Sequence, residues 1–158
     1  MFKRKFAFLL FFILISLMLS GCGGPKSQYM DRPAEDGNFY YTNKDFGFTV
    51  VLPPEFLYYQ TQRRSVGEFT DIEFFVPTSD TDYLQEVPDY AKPIVIRVMD
   101  NEEWKKQENI YNDNLYEKIG EQDGMAYVAR FWQTPPKDWL DKWSMSMKED
   151  IVDRFVLK

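Results

Sequence analysis

The chain has 158 residues, a formal net charge of −6, 18% aromatic residues, one cysteine and no histidine. Without histidine, neither Ser-His-Asp nor Cys-His machinery can be built, nor the usual His-containing zinc sites. A single cysteine excludes an internal disulfide, and the acidic balance argues against nucleic acid, whose phosphates need Lys and Arg.

Lys3, Arg4 and Lys5 precede an apolar run from Phe6 to Leu19 that only Ser16 interrupts, and small residues follow. Charged n-region, apolar h-region and small-residue cleavage site are the layout of a secretory signal peptide. As a helix this run would span ~21 Å, short of the ~30 Å core of a bilayer. The stretch Leu19-Ser20-Gly21-Cys22 resembles the lipobox of bacterial lipoproteins at all four positions. That resemblance implies a diacylglycerol on the Cys22 thiol and cleavage between Gly21 and Cys22. It also implies a lipid-anchored protein facing away from the cytoplasm, on the cell membrane or, in a Gram-negative cell, on the outer membrane. Small Ser20 and Gly21 let a peptidase approach the backbone, and a thiol is the nucleophile that takes the lipid. Each buried methylene contributes about 0.8 kcal/mol, so two acyl chains make a stable anchor.

Residues 1–21 are therefore expected to be a signal peptide. Their removal takes away three basic residues and no acidic ones, leaving a net charge of −9. Residues 22–37, from Cys22 through Gly23-Gly24-Pro25-Lys26-Ser27 to Asp36-Gly37, are polar and rich in turn formers. They read as a lipidated N-terminus and flexible tether with a reach of roughly 20 Å. Residues 38–158 suffice for a single globular domain.

Within that domain Phe39-Tyr40-Tyr41 reads as a short strand and Asn43-Lys44-Asp45 as a turn. Phe46, Phe48, Val50 and Leu52 then alternate as one face of a strand that Pro53-Pro54 stops. Two more strands are expected at Phe56–Thr61 and Thr70–Val76, with a bend at Ser65-Val66-Gly67-Glu68. Thr78 to Lys92 reads as a long surface loop, and Ile94, Ile96 and Val98 as a strand. Asp100 followed by Glu103 resembles a capping box, predicting a helix from Asn101 to Tyr111. Asp123-Gly124 between Tyr116–Gly120 and Met125–Trp132 is a strong hairpin signal. After Pro135-Pro136, Leu140, Trp143, Met147 and Ile151 recur at helical spacing, predicting a helix over Lys137–Asp150, and Phe155–Leu157 a last short strand. The order predicts an α+β sandwich, a mostly antiparallel β-sheet flanked by helices.

Tyr41-Thr42-Asn43-Lys44-Asp45-Phe46-Gly47-Phe48-Thr49-Val50-Val51-Leu52-Pro53 resembles the opening of PsbP/Mog1-like domains: an aromatic, a turn, an aromatic-Gly-aromatic strand, then proline. That resemblance implies a sheet flanked by helices and an accessory or binding role, and it transfers no catalytic residue.

Several side-chain groups merit weighing. Asp80, Asp82, Glu86 and Asp89 crowd one loop, but their spacing departs from an EF-hand, and a solvated acidic loop is the expectation. Ser144 and Lys148 lie one helical turn apart, as a Ser-Lys dyad would require. Glu102 with Glu103, or Asp138 with Asp141, offers paired carboxylates, although such acids commonly cap helices. Tyr58, Tyr59, Trp104 and Trp132 are the candidate binding aromatics, with Tyr111, Trp139 and Trp143 nearby in kind; exposed together they would form a platform for a glycan or an envelope protein. Core packing is the expectation for about two-thirds of them, and Trp139 and Trp143, sharing one helix face, are expected to be buried. The expected function is a non-catalytic binding or accessory module with no cofactor or metal, its partners the bilayer through acylated Cys22 and a protein or glycan of the envelope. A small carboxylate-dependent hydrolase and a purely structural envelope protein are the alternatives.

Overall fold

A computed structural model describes residues 32–113 and 115–158. The expected signal peptide, the lipobox-like stretch ending at Cys22 and most of the expected tether lie outside the described residues. The described chain folds as two antiparallel sheets with two α-helices.

The smaller sheet comprises β1 (Phe39–Asn43), β2 (Phe48–Leu52) and β8 (Val156–Leu157) in the order β1-β2-β8. Asn43 Oδ1 accepts from the backbone N–H groups of Asp45 and Phe46, closing the first turn, so Phe46 belongs to the turn and not to β2. The larger sheet has the order β3-β4-β5-β7-β6. Its strands are β3 (Gln60–Val66), β4 (Phe69–Pro77), β5 (Tyr90–Asp100), β6 (Tyr116–Gln122) and β7 (Met125–Phe131). The β6–β7 turn has Asp123 and Gly124 both at positive φ, the conformation that favours Asp-Gly in two-residue hairpins. Polar β3, with Gln62, Arg63 and Arg64 exposed, is a sheet edge that discourages pairing with other chains.

Alternation divides the larger sheet. Ile72, Phe74, Ile94, Ile96, Val98 and Ala129 face Phe39, Phe48, Val50 and Leu52 of the smaller sheet in one buried core. Each fully buried large apolar side chain contributes about 1.5–3 kcal/mol. The opposite face buries Val95, Met99, Ala126 and Val128 beneath Trp104 of helix α1 (Asn101–Asp113). Asp100 Oδ1 caps α1 by accepting from the N–H groups of Glu102 and Glu103. The expected capping box is one-sided, because the Glu103 carboxylate turns to Lys106 and Gln107.

Three sequence expectations are corrected. Phe56 is not in a strand: Pro54–Phe56 is a 3-10 turn, and Tyr58 at φ +63° swings Phe56 and Tyr59 inward on either side of it. The surface loop ends at Asp89, because Tyr90-Ala91-Lys92 begin β5. Pairing jumps from Val76↔Ala91 to Phe74↔Ile94, so β5 carries one extra residue at Lys92-Pro93. A bulge tolerates proline within a strand and turns Lys92 to the α1 side of the sheet. Finally, Lys137–Asp150 is not one helix. Lys137–Trp139 is a 3-10 turn, and helix α2 (Met145–Asp153) starts separately, its N-cap Ser144 accepting from the Met147 N–H. The Trp139 indole donates to the Pro77 carbonyl at 2.9 Å, which holds the turn against β4 and leaves Leu140 exposed. Among the described residues no helix is long and apolar enough to cross a membrane.

The register also orients the sandwich. Phe39↔Leu52 places the arrival of the tether at the end that holds Pro53–Tyr59. Gln60↔Phe75 and Pro77↔Tyr90 put the loop over 78–89 at that same end, and Thr78 Oγ1, bonded to Asp138, brings the segment over 132–144 there too. The β3–β4 and β6–β7 turns and the C-terminus lie at the other end, where Gln122 binds the Lys158 carbonyl. These two are the tether end and the far end of the sandwich.

Trp139 edges onto Phe56 and Trp132 (centroids 5.8 and 5.4 Å) and so ties three segments of the tether end together. Trp139→Ala is expected to cost about 3–5 kcal/mol in a denaturant melt, the range of large-to-small core truncations.

Candidate functional site

Most of the aromatics considered as a platform are core. Tyr59 packs on Phe74 and Phe39, and Trp104 lies under α1; both are 2% exposed. Trp139 is likewise buried and Trp143 half-buried, while the Tyr111 side chain lies outside the described residues. Of the named aromatics whose side chains are described, Tyr58 alone is exposed, so Tyr58, Tyr59, Trp104 and Trp132 form no shared surface, and core packing, the expectation for most of them, is what the fold shows. A fold without disulfides spends its large rings on two core layers.

The polar candidates are occupied locally. Asp80 accepts from the backbone N–H of Lys137, Asp82 pairs with the Lys137 ammonium, and Glu86 pairs with Lys92. Among the described residues no three His, Cys, Asp or Glu converge on a metal position. Ser144 caps α2, while Lys148 Nζ reaches Glu117 at 3.0 Å, so these two do not form a dyad. Glu102 and Glu103 pair with Lys105 and Lys106 along α1. Asp138 accepts from the Thr78 hydroxyl at 2.7 Å and the Ser79 N–H at 3.0 Å.

The α1-facing side of the larger sheet carries a different chemistry. Asp71 and Arg97, neighbours across β4 and β5, form a bidentate pair at 2.7 and 2.9 Å, with the guanidinium 3.4 Å from the Phe69 ring centroid. Glu73 pairs with Lys92 at 3.0 Å, the lysine that the β5 bulge turns to this face, and Lys92 also pairs with Glu86 at 2.6 Å. Asp71 and Glu73 are buried, and each has the cation that makes a buried carboxylate tolerable.

Beside these pairs, at the tether end, a groove of about 590 Å³ opens. Val95, Arg130 and Trp132 line it, with Tyr83, Leu84 and Leu115 among its remaining lining residues. Leu84 and Leu115 are exposed, and Leu115 has left-handed backbone, φ +66°, a costly conformation for leucine. Arg130 is half-buried and stacks on Tyr116 at 5.1 Å, and among the described residues no carboxylate pairs with it. Trp132 is 9% exposed, and its buried indole N–H makes no hydrogen bond of good geometry. Tyr83 sets its ring edge-on to Trp132. Burial raises the Tyr83 phenol above its ordinary value, against the opposite pull of the neighbouring indole N–H.

This groove sets a guanidinium that pairs with no carboxylate among the described residues beside apolar Val95, Leu115 and Trp132, with the mutually paired Glu86 and Lys92 also in its lining. A guanidinium offers paired donors matched to a carboxylate. Of the residues that build it, Trp132 was foreseen from sequence, while Arg130, Lys92 and Tyr83 were not. Arg130 had a local signal, since it is the sole charge in the strand Met-Ala-Tyr-Val-Ala-Arg-Phe. A second cleft of about 420 Å³ between β6 and α2 is lined mainly by charged groups, among them the paired Glu117 and Lys148.

No family model matches the chain, and neither a curated protein nor a solved structure does.

Asp138 carries a pH prediction. Burial pushes its carboxyl up, but hydrogen bonds from Ser79 and Thr78 outweigh burial and leave its value lowered. A carboxyl lowered in the folded state stabilises fully above its unfolded value, near pH 4, and loses that contribution as pH falls through the folded value. Asp138→Ala is expected to lower stability by about 1–2 kcal/mol at pH 7. In melts taken along a pH series, the gap from wild type closes below about pH 4.

Proposed function

We propose that this protein is a lipid-anchored, non-catalytic binding module on the extracytoplasmic side of a bacterial membrane. Its groove takes a peptide segment that presents a carboxylate to Arg130 and apolar side chains to Trp132 and Val95. One observation carries the reading: a half-buried guanidinium without a carboxylate partner among the described residues, in an acidic chain whose neighbouring cations Arg97 and Lys92 are both paired. An acidic protein gains nothing in solubility from such a group, whereas a ligand carboxylate gains a charge-assisted pair. The lipobox resemblance at Leu19–Cys22 supports the anchor, and the PsbP/Mog1-like resemblance of Tyr41–Pro53 supports an accessory role.

Cross-linked capture from membranes tests this reading with tagged wild type, Arg130→Ala and Cys22→Ala. A hydrogen bond to a charged group contributes about 1.5–3 kcal/mol, so Arg130→Ala is expected to reduce capture of the partner roughly tenfold or more. Cys22→Ala is expected to release the protein from the membrane and lose the partner. An identical set of captured proteins with and without Arg130 would remove the groove from the function.

A further inference from the structure

The exposed apolar side chains of this fold are not scattered. Leu57 and Tyr58 project from the loop after β2, Leu84 from the loop over 78–89, Leu140 from the segment before α2, Leu115 from the start of β6 and Met145 from the start of α2. Each is at least 40% exposed, and Leu84 reaches 89%. The strand register, the Thr78–Asp138 hydrogen bond and the Lys148–Glu117 pair place these segments at or toward the tether end. Among the described residues the other exposed large apolar side chains are Tyr40 on β1, Ile110 on α1, and Val66 and Val156 of the far end. Tyr58 and Leu115 are also two of the four non-glycine residues at positive φ among the described residues, so the backbone is strained where these side chains are turned outward.

The covalent chain supplies what this end meets. Ten residue steps separate Cys22 from Arg32, where the described fold begins, and a chain of that length reaches at most about 36 Å. The eleven residues of β5 alone span roughly 36 Å from one end of the sandwich to the other. If Cys22 is anchored in a bilayer, the tether end is the end within easy reach of it, and the far end is held about a domain length away.

We propose that the protein seats its tether end on the lipid bilayer, with Leu57, Tyr58, Leu84 and Leu140 inserted at the level of the headgroups. This rests on the lipid-anchor reading. Leucine and tyrosine tips suit that layer, since the apolar body enters the acyl boundary while a phenol keeps its hydroxyl wet. The charges of this end lean acidic: Asp80, Asp82, Glu86 and Asp141 outnumber Lys137 and Lys142. Contact is therefore apolar and opposed by anionic lipid, unlike the attachment of a basic patch. Seating also fixes the groove beside the membrane surface, where it meets segments emerging from membrane proteins.

The test uses the full lipidated protein in vesicles. Acylated Cys22 leaves no other thiol in the chain, so an environment-sensitive fluorophore goes on one new cysteine at Leu84→Cys, Leu140→Cys, Val66→Cys or Val156→Cys. In phosphatidylcholine vesicles carrying nitroxide-labelled lipid, labels at 84 and 140 are expected to shift to the blue and to lose most of their emission, while those at 66 and 156 do neither. Adding phosphatidylglycerol is expected to weaken the quenching at low salt, and added salt to restore it. Intact mass of the same samples reads the acyl group on Cys22. Acylated protein with all four labels equally water-exposed would overturn the seating alone and point to a protein occupant for this end. Protein without the acyl group would overturn the anchor and the seating together.

Discussion

The tether end depends on one residue, Trp139. Its indole donates to the Pro77 carbonyl at the end of β4, and its ring lies edge-on to Phe56 and Trp132. These contacts join three stretches that are far apart in sequence: the loop after β2, the end of β4 and the crossover to α2. Asp138 adds a polar stitch next door by accepting from Thr78 and Ser79. With one cysteine in the chain, no disulfide can do this work. An aromatic cluster with one satisfied indole N–H holds an irregular end that would otherwise carry unpaired backbone groups.

The β5 bulge has a comparable reach. By inserting one residue at Lys92-Pro93 it changes which side of the sheet Lys92 serves, so that Glu73 gains a cation. Arg97 completes the same face with Asp71. Because both of those carboxylates are matched, Arg130 one strand over keeps its guanidinium for something else.

Much of the architecture was legible in the chain. The alternation of Phe48, Val50 and Leu52, the Asp123-Gly124 turn and the Asp100 cap are local signals, and each holds because its cause is local. The failures have distant causes. Leu140, Trp143, Met147 and Ile151 do recur at helical spacing, but the helix they suggest is broken by a hydrogen bond from Trp139 to a carbonyl 62 residues away. The bulge in β5 depends on pairing with β4 and leaves only Pro93 as a trace. Tyr59 and Trp104 differ in no local way from exposed aromatics, and only the two core layers decide that they are inside. The groove was illegible for a further reason: Tyr83, Lys92 and Arg130 meet only after three strands have paired.

On the proposed reading the tether end is the working end of the molecule, since the groove, the strained outward-facing residues and the N-terminal start of the described chain lie together there. The most direct measurement is neutron reflectometry of the full lipidated protein on a supported zwitterionic bilayer. The account predicts protein density that begins within the headgroup layer and continues without a water gap. A hydrated gap of roughly 20 Å between headgroups and domain, the r.m.s. reach of an unconstrained tether, would contradict it.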